Sequence, residues 1–203
     1  MATGELILRM GDPRLRRRAS EVEESEFGSA ELTALVERLS GIMRDSHGIG
    51  IAAPQIGVGK RVLLMEVDDN PRYPDAPRLA WRCLINPEVT ITDGREEEGF
   101  EGCLSVPGLR GPVRRAVGLQ VRFREPSGAR GALELTGLFA RIVLHELDHL
   151  DGVLFLDRVA AEDRERIGFR EELEAAGLSS GVVGATPAVL RELDAGRRST
   201  AGE

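Results

Sequence analysis

Across residues 28–46 the apolar side chains Leu32, Leu35, Val36, Leu39, Ile42 and Met43 recur at steps of three and four. That is the period of an amphipathic helix with one face on a core. A second helical run carries Leu138, Phe139, Ile142, Val143, Leu147 and Leu150, with Thr136 placed as its N-cap and Gly152 near its end. Between the two runs the pattern is that of strands. Residues 61–67 are β-branched and leucine-rich, residues 68–80 form a loop rich in Pro, Asp and Asn, and residues 84–87, 89–91, 113 and 117–123 supply further strand candidates. Gly128 marks a hairpin turn, and residues 133–135 lead into the second helix. Ahead of the first helix, residues 6–10 are apolar and extended and stop at the turn Gly11-Asp12-Pro13.

Residues 153–156 read as one more short strand, and residues 160–176 as a charged amphipathic helix. Residues 177–203 are rich in Gly, Ser, Thr and Arg, with a weak helical patch at 189–193. This order predicts an α+β fold: antiparallel strands around a central metal-binding helix, with an N-terminal and a C-terminal helix. It divides the chain into a catalytic domain over 1–176 and a tail over 177–203, open to flexibility and assigned no catalytic role.

Composition narrows the picture only slightly. With 203 residues, 41% hydrophobic and 30% charged, the chain suits one soluble domain with a real core. A net charge of -7 argues against a general nucleic-acid binder, although Arg14, Arg16, Arg17 and Arg18 are locally basic and read as a solvated surface. No run approaches the roughly 18 apolar residues of a membrane span, and no leader pattern opens the chain, so a cytoplasmic protein is expected. Of the two cysteines, Cys83 lies in an apolar stretch and reads as a buried small hydrophobe. A thiolate ligand is a better use of Cys103 than a cytosolic disulfide.

The second helix brings the chemistry. It holds His145-Glu146-Leu147-Asp148-His149, and at about 100° per residue two histidines four apart project from one face, close enough to share an ion. Glu146 lies on the adjacent flank, where its carboxylate can reach a water at that ion, as in a metal-assisted hydrolase. The apolar run makes the site semi-buried, where unpaired imidazoles and a carboxylate are costly. This motif alone leaves the third ligand open. No histidine follows His149, while Cys103 stands upstream in Glu101-Gly102-Cys103-Leu104-Ser105.

Those two strings, with Gly48-Ile49-Gly50-Ile51-Ala52-Ala53-Pro54-Gln55 before them, resemble in order and separation the three signature motifs of peptide deformylases. The resemblance runs from about Leu6 to about Val159 and does not reach beyond about Ala176. It implies removal of the N-formyl group from the initiator methionine of nascent polypeptides, with release of formate. Cys103, His145 and His149 would hold one divalent ion, iron(II) by family knowledge with zinc, nickel or cobalt as substitutes, and leave a fourth position open. Glu146 would act as base and then acid. The Gln55 amide and the backbone N–H of Leu104 would donate to the formyl oxygen.

By position in the same motifs, Ile49, Leu138 and Ile142 would line an apolar pocket for the methionine side chain. Gly48 and Gly50 would let main chain lie beside an extended substrate. Arg110 matches a family arginine that organises the site, with Glu101 as its partner, and Asp148 could support a ligand. The implied partners are N-formylmethionyl nascent peptides, with the ribosome near the exit tunnel as a further one and neither nucleic-acid reading nor a membrane. Leu144 departs from the family's usual Gln, and Arg141 stands where the family varies. Two rivals remain: a zinc peptidase using the same helix with a third ligand other than Cys103, and a catalytically idle homologue that binds peptide or ribosome.

Overall fold

A computed structural model describes residues 7–177 and 186–194. The first helix, α1 (Ala30–Asp45), begins where the Ser29 hydroxyl accepts from the Leu32 N–H at 3.1 Å, and it buries Leu32, Val36, Leu39, Ile42 and Met43. An oxygen at this position satisfies one of the first-turn donors, and the three-four spacing puts all five apolar side chains on one face. Past α1 the chain turns through His47 at φ 51° into β1 (Gly50–Ala52).

β1 pairs with β2 (Val62–Val67), which pairs with β3 (Leu79–Cys103), then β4 (Val106–Arg124) and β5 (Arg130–Thr136), all antiparallel. The separate strand candidates of the middle region are thus merged into two long strands, β3 and β4, that bend together. One irregularity in their ladder has a clear local cause. The ladder shifts between Ile85 and Glu88, where Pro87 has no N–H to give and Asn86 adopts φ 50°. The Asn86 side chain uses that turn to bond both the N–H and the carbonyl of Val22 at 2.9 Å.

The curved sheet encloses α2 (Gly137–Leu150), which packs against β1, β2, β4 and β5. Leu138, Phe139, Ala140, Ile142, Val143 and Leu150 of this helix join Leu63, Met65, Leu119, Val121 and Leu135 in one core. Each large side chain removed from water there contributes about 1.5–3 kcal/mol, which fixes the helix bearing the two histidines relative to the sheet. α1, β1 and β2 close a second core on the other side of β1. The α+β architecture around a central helix is therefore as expected.

Several boundaries differ. Thr136 stands at the N-cap of α2 but its hydroxyl donates to Pro187 O at 2.6 Å and accepts from Val189 N at 3.1 Å. Residues expected as a strand after Gly152 form a short helix, α3 (Phe155–Arg158), because Asp157 accepts from the Leu154 N–H at 2.8 Å and stabilises its first turn. The expected helix over 160–176 is broken into a 3-10 turn, strand β6 (Gly168–Phe169) on β4, and α4 (Arg170–Ala175). The weak helical patch at 189–193 is a strand, β7 (Leu190–Glu192), bonded to β5. In both corrections an open strand edge offers backbone partners that outweigh a short helix's own. Of the expected tail, 186–194 lies on the sheet; 178–185 and 195–203 lie outside the described residues.

Candidate metal centre and active-site cleft

The turn from β3 to β4 places Cys103 opposite Val106, facing the last turns of α2. Its sulfur lies 3.1 Å from His149 Nε2, and ligand atoms of Cys103, His145 and His149 all fall within 4.8 Å of one another. The two imidazoles are 5.2 Å apart between centroids, as the one-turn spacing predicts. Phe155 of α3 stacks on His145 from the other side, at 6.3 Å.

His145 Nδ1 lies 2.8 Å from Glu101 Oε2. Burial alone would raise the Glu101 carboxyl, but the Arg115 charge and hydrogen bonds from His145 and Arg115 hold it well below the usual carboxylate range. Glu101 is therefore ionised and can only accept, so Nδ1 carries a proton and Nε2 is the nitrogen left to bind an ion once it gives up its own. Around Glu101 the donors are Arg115 Nε and Nη2 and Arg141 Nη1, each at 2.9 Å. Arg115 continues to Asp148 Oδ2 at 2.6 Å, and Arg158 donates to Asp148 from outside.

The expected pairing of Arg110 with Glu101 is not seen. Their strand register, Gly102 opposite Arg110 and Glu101 opposite Gly111, sends Arg110 over the Tyr73 ring, 5.6 Å from its centroid, on the cleft wall. Arg115 and Arg141 were missed as partners of Glu101. Arg141 could have been flagged because it interrupts the apolar face of α2, one helical turn before His145.

Burial would push the Cys103 thiol up, yet the charge of His149 and hydrogen bonds from both histidines pull it well below its ordinary value. Burial likewise opposes charge on His145, and contacts with Cys103 and Glu101 raise it well above the usual imidazole range. The cluster thus favours thiolate, the ligand form of cysteine. Among the described residues, two buried side-chain atoms, His149 Nδ1 and Glu146 Oε2, have no hydrogen-bond partner. One thiolate and two imidazole nitrogens suit a borderline or soft divalent ion, and three protein donors are the number a catalytic site provides. The residues fit such an ion.

Glu146 is 4% exposed, and burial moves its carboxyl up to about 7 against the pull of the two histidines. A Cβ on Gly50 would come within 2.5 Å of Glu146 Oε1. This glycine is required by close approach: β1 runs directly over the carboxylate. Gln55, buried in the 3-10 turn after β1, fixes its amide oxygen on the Ala52 N–H at 2.8 Å. Its Nε2 is thereby aimed at Cys103 Sγ, 3.6 Å away, and Ser105 Oγ, 3.3 Å away.

These groups open on a cleft of about 440 Å³ lined by Ile49, Gly50, Gln55, Leu104, Arg110, Ile142 and Glu146 among others. Leu138 is not on its wall; at 1% exposure it belongs to the core beneath. Leu144 packs half-buried against that core and does not line the cleft. His47, given no role from the sequence, lines the opening.

A family model described as Polypeptide deformylase matches residues 5–165. Peptide deformylase 2 of Bordetella bronchiseptica is 43% identical over 167 residues, covering 82% of this chain and 93% of that protein. Peptide deformylase 1 of Prochlorococcus marinus is 45% identical over 174 residues, covering 85% and 88%. Among solved structures, the Met-Ala-Ser-bound class I type b peptide deformylase from Acinetobacter baumannii superposes with a TM-score of 0.75 at 38% identity, covering 78% of this chain and all of that one.

Proposed function

This chain belongs to the polypeptide deformylase family, and from that premise we propose how its own residues carry the reaction. It is an enzyme that removes the formyl group from the N-terminus of nascent polypeptides. We assign Cys103, His145 and His149 as ligands of one divalent ion, iron(II) in the native state with zinc, nickel or cobalt able to substitute. When bound, the ion supplies Lewis acidity, which makes a water more acidic and polarises a carbonyl.

Glu146 takes a proton from the water that adds to the formyl carbon, then gives it to the amine nitrogen as the C–N bond breaks, leaving formate and a free α-amine. A carboxyl moved by burial to about 7 can serve in both directions near neutral pH, and an adjacent cation draws it back toward the ionised, basic form. The Gln55 amide and the Leu104 N–H are assigned as donors to the formyl oxygen as it gains charge. The Ala52 bond supports this for Gln55, since it turns the amide nitrogen inward. Ile49 and Ile142 are assigned to the methionine pocket and Gly50 to the substrate main chain, with Arg110 on the peptide side of the cleft; Leu138 supports the pocket floor from the core.

The observation that carries this reading is the placement of Glu146, buried and with no partner at Oε2 among the described residues, beside the convergent donor atoms of Cys103, His145 and His149. A peptidase with another third ligand is not favoured, because the three-donor cluster found among the described residues contains Cys103. No helix among them is long and apolar enough to cross a membrane. We place the enzyme in the cytoplasm with the ribosome near the exit tunnel as a partner, and keep 1–176 as the catalytic domain. The test is formate release from formyl-Met-Ala-Ser by protein purified without oxygen and loaded with iron(II) or nickel. Release by the wild type and none by Cys103→Ala is expected; equal release by both would remove Cys103 from the site.

A further inference from the structure

The cleft has a positive mouth, and part of it is built by residues beyond those that match the family model, which end at 165. Its floor is buried, as at Gln55, Ile142 and Glu146, whereas Arg9, Arg72 and Glu171 are exposed and Arg170 is half-buried. The position of Arg170 follows from pairing. β6 extends β4 with Phe169 opposite Leu109 and Gly168 opposite Arg110, so the next residue is carried onto the same wall as Arg110.

Three arginines, Arg9, Arg72 and Arg170, stand at this opening with one exposed carboxylate, Glu171, while the other carboxylates of the lining, Glu101 and Glu146, are buried on the floor. Arg9 Nη1 is held on the carbonyl of Leu104 at 2.9 Å. The Arg72 guanidinium has no carboxylate partner among the described residues, and Arg170 Nε bonds Glu174 at 2.5 Å, one turn further along α4. The sign of the mouth is opposite to the chain's net charge of -7, so it is not a by-product of composition. A positively lined opening focuses its field on whatever enters.

We propose that Arg170, presented by the β6–α4 segment, is a specificity-determining residue that favours peptides with an acidic side chain after their first residue. The inference rests on the deformylase reading of the site. Arg170 touches no reacting atom. It selects through charge, and for a half-exposed pair in water the effect is roughly threefold in kcat/KM.

The experiment uses formyl-Met-Ala-Xaa amides, which lack a terminal carboxylate, with Asp, Asn or Lys at Xaa, and a second set with the charge at the middle position. Wild type is expected to prefer Asp over Lys at one of these positions, with the ratio shrinking at high salt. Arg170→Ala brings that ratio toward one, Arg170→Glu inverts it, and Glu174→Ala, which frees the guanidinium, raises it. A ratio of one in the wild type at both positions, or a preference that Arg170→Ala and Arg170→Glu leave intact, overturns the assignment. No formate from the neutral Asn peptide would instead overturn the deformylase reading beneath it, a separate result from a lost charge ratio.

Discussion

Glu146, Gln55 and Glu101 make different demands on the same few ångströms, and substitutions separate them. Glu146→Ala should keep the metal and lower turnover roughly 10²- to 10⁴-fold, the usual worth of a positioned acid-base group; normal turnover with metal bound would take Glu146 out of the mechanism. For Gln55→Leu a fall of about 10²-fold in kcat at unchanged metal content is expected, and parallel loss of both would make Gln55 structural. Among the described residues, Glu101→Ala leaves buried Arg115 with Asp148 alone and Arg141 with carbonyl partners only, a cost of up to about 3–5 kcal/mol in urea unfolding. It also frees His145 Nδ1, so metal affinity should drop about 10- to 100-fold; a variant that keeps wild-type affinity would show that Glu101 holds the fold and not the ligand.

At the scale of elements, the two long amphipathic helices, and with α2 the shared face of His145 and His149, were legible in the sequence because a 3.6 period sustained over several turns buries a continuous apolar face. The order Cys103 then His145 and His149 was legible through its motifs. What the sequence did not disclose depended on partners distant along the chain. Arg110 and Arg115 are equally polar in a strand, and only the register of β3 against β4 decides which meets Glu101. Likewise the residues of β7 carry a faint helical pattern, but the open edge of β5 supplies a backbone ladder. Gly137 tests that contact: at φ 57° a Cβ would strike the carbonyl of Thr186. Gly137→Ala should therefore cost more than about 1 kcal/mol. In a chain truncated after Ala176 the clash is gone, and the same substitution should cost measurably less; equal costs would mean that the φ angle alone sets the penalty.

Over the whole molecule, ion pairs join segments distant in sequence, among them Arg124 with Glu24 and Arg166 with Glu98. Hydrogen bonds from these arginines hold both glutamates below their ordinary 4.5, and Arg14 does the same for Asp12, moved to about 2. A carboxyl lower in the folded than in the unfolded chain contributes stability that is present above its ordinary value and lost as pH falls through the folded one. Exposed pairs are weak one by one, so the urea midpoint should decline gradually below about 4.5, whereas a midpoint flat into strong acid would show that these pairs contribute nothing. The bond from Thr136 to Pro187 spans 51 positions. A growing chain therefore emerges with β5 and the first turn of α2 complete but that border uncovered, and it waits for some fifty more codons before its own β7 can shield it. For an enzyme whose substrates are other unfinished chains, the interval in which its sheet is most open to mispairing falls where such chains are most concentrated.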